Sequence, residues 1–243
     1  MSMDMAASLG TLCTQRSIEA GDVLCSVEVL DLVPKGPHDE ACVLVPHTIR
    51  NNADARKALS RSALQYPTRV YSMSQPTSWS TISVSKSVLE TILLTHEVMP
   101  EFLDVVGCFQ EKAASVDLAY CIPFVQKKQN DILEYAYGFK YPESNGRSDG
   151  GEQWSLRQGA IYHQYHVVEQ RSVWIVINAR PNSEALQRVS QHLAKIQSIA
   201  QSKQFPFAID ELILPAHLRM CKAYLRSHER TIIQLVWSIR SSI

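Results

Sequence analysis

The sequence contains no C-x-x-C pair, no G-x-x-x-x-G-K-[ST], no G-x-G-x-x-G and no H-E-x-x-H. Nucleotide-binding and metalloprotease chemistry therefore have no motif to rest on. Six cysteines stand scattered at 13, 25, 42, 108, 121 and 221. That scatter fits reduced thiols in the cytosol better than a disulfide framework or a zinc module. Charge of one sign is missing too, with 24 Lys and Arg against 24 Asp and Glu. A balanced chain gives no electrostatic case for binding nucleic acid. Long hydrophobic runs are absent: the longest, Thr231 to Trp237, is broken by Gln234 and soon meets Arg240, whereas a span needs about 20 apolar residues. Met1-Ser2-Met3-Asp4-Met5 carries an acid where a signal peptide would carry basic residues. The expectation is a cytoplasmic protein with no span of its own.

What is present is an ordinary globular composition, 45% hydrophobic and 20% charged over 243 residues, enough for one large domain or two small ones. The most informative stretch is 134–177. Leu133, Tyr135, Tyr137, Phe139 and Tyr141 alternate with Glu134, Ala136, Gly138 and Lys140, the period-two signature of a strand with one buried face. A polar, glycine-rich loop over 144–151 suits a hairpin connection. Trp154-Ser155-Leu156-Arg157-Gln158 leads into Ala160-Ile161-Tyr162 as a second strand. Ser172-Val173-Trp174-Ile175-Val176-Ile177, apolar on both faces, reads as a central strand.

These residues also carry a resemblance. Leu133-Glu134-Tyr135-Ala136-Tyr137, Asn145-Gly146-Arg147, Trp154-Ser155-Leu156-Arg157-Gln158-Gly159, Tyr162-His163 and Ser172-Val173-Trp174-Ile175 resemble a run in filamentous-fungal proteins with a CorA-like transporter domain. Ser78-Trp79-Ser80 through Asp104, and Ala216-His217-Leu218 with the helix after it, look like the same family. The resemblance covers roughly the last two thirds of the chain. It implies the soluble α/β domain of a relative of CorA-type magnesium channels, joined to a long helix that leads into spans in complete members. The Gly-Met-Asn tripeptide of the CorA pore mouth is absent, so the resemblance does not extend to conduction by this chain.

Taken in order, residues 1 to about 20 read as a flexible lead-in, Val23–Val33 as a strand ended by Pro34-Lys35-Gly36-Pro37-His38, and Val43–Val45 as another. Asn51–Gln65 suggests a weak helix stopped by Tyr66-Pro67, and Arg69–Met73 a strand. Ser83 or Ser85 offers an N-cap for a helix carrying Val88, Leu89, Ile92 and Leu93. Pro100 separates it from a second helix with Phe102, Leu103, Val105 and Val106, stopped at Gly107. Leu118, Tyr120, Ile122 and Phe124 alternate as one more strand. Leu186, Val189, Leu193, Ile196 and Ile199 form one amphipathic stripe, broken at Phe205-Pro206-Phe207. Pro215 is expected to begin a last helix running to Ile243, about 43 Å long at 1.5 Å per residue. Its apolar pattern is still running at the final residue, as in a sequence cut short of a longer helix.

Several patterns invite chemistry. Gly146-Arg147-Ser148-Asp149-Gly150 is a literal G-x-S-x-G, yet it lies between two strand patterns, whereas a nucleophile elbow needs a helix directly after the serine. His163 and His166 would fall on opposite faces of one strand. His217, Cys221 and His228 share one side of the last helix without an acidic partner. Arg157 can hold an anionic ligand, or it can pair with Glu134 or Glu143 to fix the hairpin.

The expected fold is α/β (α+β), a mixed sheet flanked by helices over 21–210, followed by a long helix over 215–243. Candidate binding residues are Glu134, Trp154, Arg157, Gln158, Tyr162 and His163. The resemblance adds Mg2+ as the cofactor to expect, with no ligands assigned, and the last helix as the seam of a homo-oligomer. The function expected is a non-enzymatic regulatory or assembly domain. The alternatives are a small-molecule-binding accessory protein, with a pocket of Trp154, Tyr162 and the tyrosines at 135, 137 and 141, or an enzyme using His163, Arg157 or Glu134.

Overall fold

Alternating apolar residues and Gly/Pro/Asn punctuation produce seven strands in one mixed sheet. The computed structural model describes residues 25–36, 39–60, 66–77, 79–111, 124–146 and 153–240. The strands are β1 (Val27–Pro34), β2 (Cys42–Ile49), β3 (Thr68–Ser74), β4 (Val125–Gln129), β5 (Ile132–Ser144), β6 (Trp154–His166) and β7 (Arg171–Asn178). Their order across the sheet is β2-β1-β3-β7-β6-β5-β4. Among the described residues, β3 and β7 run parallel and the other pairs are antiparallel. β4 to β7 form a meander whose longest pairing joins β5 to β6 from Ile132↔His166 to Ser144↔Trp154. All eight residues of β7 are buried, as its two-sided apolar sequence requires.

Two helical layers cover the two faces. On one lie α1 (Asn52–Leu59), α2 (Lys86–Thr95) and α3 (Phe102–Gly107). Asn51 and Ser85 cap the first two by accepting from Asp54 N–H and Val88 N–H. Val88, Leu89, Ile92, Phe102, Val105 and Val106 interlock there with Val29, Tyr71, Tyr162, Val173 and Ile175 of the sheet. The other face packs α4 (Glu184–Leu193) and the start of the last helix on Leu30, Val70, Ile161, Trp174 and Val176.

Two sequence expectations are corrected here. The amphipathic stripe after Pro181 is not one helix, because α4 ends at Leu193 and a separate short helix, α5 (Ile199–Gln204), is capped by Ser198. An isolated bridge between Ala41 and Ser198 pulls the chain straight between them. The last helix, α6, runs Ala208–Arg240 with Pro215 inside it rather than at its first turn. Phe205 and Phe207 carbonyls accept from Ala208, Asp210 and Glu211 N–H groups, so the turn at Pro206 starts the helix. Pro215 removes one ladder bond, to Glu211. The expected strand over 118–122 lies outside the described residues, although β4 begins directly after Phe124. The 1–20 lead-in also lies outside them.

Gly159, the last residue of the Trp-Ser-Leu-Arg-Gln-Gly block, is fixed by a close approach. A Cβ there would come 2.8 Å from Phe139 Cζ and 3.3 Å from the Ile177 carbonyl. Only glycine lets β6 pass between its neighbours without a shift.

Candidate functional site

The period-two geometry of β5 and β6 sends the six sequence candidates to different places. Glu134, Gln158 and Tyr162 face the α2–α3 layer. Glu134 Oε1 accepts from the Tyr162 hydroxyl at 2.5 Å, from Met99 N–H at 3.0 Å and from Gln164 Nε2 at 3.4 Å. Burial, reinforced by the Glu134 carboxylate, raises the Tyr162 phenol well above its ordinary pKa. Gln158 Nε2 donates to the Cys108 carbonyl at 3.1 Å. These bonds tie the meander to the helices above it.

The polar line continues across the same face. Gln164 Nε2 donates to the His96 carbonyl, and His96 Nε2 lies 2.8 Å from the Tyr71 hydroxyl. Beyond Tyr71, Arg69 forks onto Asp31 with Nε–Oδ1 2.5 Å and Nη2–Oδ2 2.7 Å. The guanidinium lies 3.9 Å from the centre of the Tyr66 ring. Both charges are almost completely buried. Single charges inside otherwise apolar strands, Asp31 in Leu30-Asp31-Leu32 and Arg69 before Val70-Tyr71, were the sequence signal for this pair. Reading the strands by their apolar residues alone passed over it.

Arg157 and His163 sit apart from Glu134. Arg157 Nε bonds Glu143 at 3.1 Å, and Arg180 reaches the other oxygen of Glu143 at 2.7 Å. Of the two acids offered as partners for Arg157, Glu143 is the one it meets. Trp154 stands at the far end of β6, edge-on to Tyr224 of α6 with centroids 5.7 Å apart. The expected pocket of Trp154, Tyr162 and the three tyrosines does not form, because Tyr162 points to one face and Tyr135, Tyr137 and Tyr141 to the other. His163, Arg157 and Glu134 do not converge either.

The second face carries a cluster that sequence reasoning did not find. Tyr135 and Tyr137, two residues apart on β5, donate to opposite oxygens of Asp210 in the first turn of α6. Burial and the bond to Asp210 raise both phenols. Burial likewise raises the Asp210 carboxyl, against the two phenol bonds, which lower it. His163 lies under Tyr135, with Nδ1 3.1 Å from its hydroxyl and Nε2 3.1 Å from Ser172 Oγ. Its ring stacks on Trp174 at 3.6 Å between centroids, and burial lowers its pKa to about 3. Further along α6, His217 lies 3.8 Å from the Tyr141 ring centre, and burial lowers it to about 4. Nothing in Ile209-Asp210-Glu211 marks Asp210 in the sequence, since acids are common in a helix's first turn.

This arrangement holds rather than reacts. The carboxylate, two phenols and imidazole satisfy one another and fasten the root of α6 to β5–β7. A neutral, fully buried imidazole with so low a pKa offers little base strength near neutral pH. Among the described residues, no three His, Cys, Asp or Glu side chains converge as a metal site, so none is assigned to magnesium. His217, Cys221 and His228 form no such group. Ser148 of the G-x-S-x-G pattern lies outside the described residues, between strands β5 and β6.

No helix among the described residues is long and apolar enough to cross a membrane. No curated protein matches the chain. A family model described as CorA-like transporters matches residues 22–137 and 127–222. With well over half its length matched, and with a mixed sheet, two helical layers and a long terminal helix, the chain belongs to the CorA-like family.

Proposed function

We propose that this chain is a non-enzymatic assembly and regulatory domain of a CorA-like protein, working in the cytosol, that self-associates through α6 and does not itself conduct ions. The observation that carries the reading is the outward face of α6. Leu218, Leu225, Ile232 and Ile239 follow one another at intervals of seven, each 61–65% exposed. Leu235 and Val236 add apolar surface between the last two. An exposed apolar stripe of this kind is covered by packing against a second helix, and it approaches a two-position seam only near Leu235 and Val236, since Cys221 and His228 stand at the equivalent places earlier. A neighbour of that kind is most simply another copy of the chain. The clasp at Asp210 supports the regulatory half, because it couples the sheet to the root of the helix that would form the seam. A divalent cation is the effector to test first, held by carboxylates and water or between copies.

The experiment is light scattering behind size exclusion on the full chain, in millimolar magnesium and again in chelator, beside Leu225→Asp/Ile232→Asp. The expected result is a defined oligomer that the double substitution converts to a folded monomer. A mass that changes with the cation supports regulation; a mass indifferent to it overturns that half alone. A monomer under every condition overturns the assembly reading and favours a small-molecule-binding accessory role.

A further inference from the structure

The sheet face under α6 contains a partly open cavity of about 100 Å³. Its lining includes Trp174, Ile209, Ala208 and Phe205, with Ser172, Thr68, Ser202 and Gln201 among the polar residues. Phe205 is 58% exposed, so an aromatic ring stands at the mouth.

The hydrogen-bond chain behind the cavity fixes what Ser172 can offer. Asp210 accepts the Tyr135 phenol proton, leaving the Tyr135 oxygen to accept. His163 Nδ1 must then carry its proton toward Tyr135, and Nε2 is left as a lone pair. Ser172 Oγ, 3.1 Å from that lone pair, donates its proton to it. The serine hydrogen is thereby committed, and Oγ has only acceptor capacity left for anything entering the cavity. An engineered dry cavity of about 150 Å³ holds benzene; this one is smaller, about 100 Å³, but partly open, so a single ring fits only with part of it projecting outward past Phe205. Among the described residues no Asp, Glu, Lys or Arg lines the cavity, and His192 is the titratable group on its wall, which disfavours an ion.

We propose that this cavity is a binding site for a small neutral single-ring compound carrying one hydroxyl or N–H donor, which bonds to Ser172 Oγ and stacks among Trp174, Ile209 and Phe205. Such a ligand bridges β7 to the first turn of α6 beside the clasp, and it does so whether α6 is alone or assembled. It is therefore independent of the self-association reading.

The test is a titration of the full-length chain with phenol, and separately with toluene, followed by amide chemical shifts and by the melting temperature. Phenol is expected to saturate, to raise the melting temperature and to shift the amides of Ser172, Trp174, Ser202 and Ile209. Ser172→Ala should weaken phenol about three- to tenfold while leaving toluene within about twofold, the loss expected for one neutral hydrogen bond. Ala208→Leu, which fills the cavity from its helical side, should abolish both. No saturable shift at those amides overturns the proposal, as does phenol binding that persists in Ala208→Leu. Equal affinity for phenol and toluene overturns the donor–acceptor chemistry. Should Ser172→Ala not fold, the phenol–toluene comparison on the unaltered chain, with Ala208→Leu, decides the matter.

Discussion

Tyr137 donates to Asp210 Oδ1 at 2.6 Å, so the middle of β5 is tied to the root of a 33-residue helix. Tyr135 fills the other oxygen. Beyond Ala216 no residue of α6 is fully buried, and from Thr231 to Arg240 every residue is exposed. The anchored end is short against the exposed length, and there Ile209, Ile213 and Ala216 pack on the sheet beside Asp210.

Asp210→Ala should therefore loosen the helix root before it unfolds the sheet. Two phenols lose a charged acceptor, at about 1–3 kcal/mol for hydrogen bonds of this kind. Asp210→Asn keeps one acceptor oxygen and should cost less. Amide hydrogen exchange is the direct readout: protection should fall over 209–217 in Asp210→Ala while β6 and β7 keep theirs. Protection over 209–217 in Asp210→Ala that equals the parent's would show that the clasp does not hold the root.

Stability should decline as pH falls below about 6.5, the ordinary histidine value. His96 and His163 are buried neutral, each lowered to about 3, His96 by burial and then by the nearby Arg69 and Arg171 charges. In the unfolded chain both protonate near 6.5, while in the fold they resist until about 3. Between those limits the unfolded state binds more protons, and stability is lost at up to about 1.4 kcal/mol per pH unit for each. His217 adds to the same sign, whereas Asp210, with its carboxyl raised, opposes it. Urea unfolding at pH 7, 6 and 5 checks this, with His96→Gln expected to flatten the slope. A midpoint unmoved from pH 7 to 5 contradicts the buried neutral imidazoles.

Strands β5 to β7 of the meander were legible because their signals are local, whereas the polar β4, Val125–Gln129, has no apolar alternation to announce it. Tyrosine alternation set β5, the Trp154 block set β6, and two-sided apolarity set β7. The Arg157–Glu143 pair was one of two the sequence offered, and the hairpin brings them together as diagonal neighbours, Glu143 opposite Ser155 and Arg157 opposite Tyr141. What escaped depends on contacts far apart in the chain. Asp210 lies more than 70 positions from Tyr135 and Tyr137, and its own neighbourhood looks like any first turn. The break between α4 and α5 escaped because Ile196 and Ile199 keep helical spacing across it, while the Ser198 cap and the pairing with residues 40–42 separate the two helices. The six candidate residues shared a motif without sharing a face, because adjacent positions on a strand point to opposite sides.

Gly159→Ala should be destabilising despite being a single methyl in a strand. The added carbon meets Phe139 at 2.8 Å and the Ile177 carbonyl at 3.3 Å, and overpacking of this sort costs about 1–3 kcal/mol. Phe139→Leu removes the nearer obstacle and should recover part of the loss in the double variant. Chemical denaturation of the four proteins tests it. Strict additivity would mean that the strain lies at the Ile177 carbonyl and not at the ring.

The Asp31–Arg69 pair should behave asymmetrically. Removing one partner strands a charge inside the sheet: Arg69→Met leaves Asp31 with only His47, 3.9 Å away, and Asp31→Leu leaves Arg69 with the Tyr71 hydroxyl and the Ala58 carbonyl at 3.4 and 3.5 Å. Breaking a buried pair in this way costs about 3–5 kcal/mol, whereas replacing both charges by apolar groups of similar volume is often neutral or stabilising. Each single variant should therefore unfold at much lower urea, and Asp31→Leu/Arg69→Met should return close to the parent. The Tyr66 stack at 3.9 Å sets the limit of that recovery, since methionine keeps the contact with the ring but not the cation. A double variant as unstable as the sum of its parts would mean that the two charges are held by their other neighbours, and that the fork between them contributes nothing of its own.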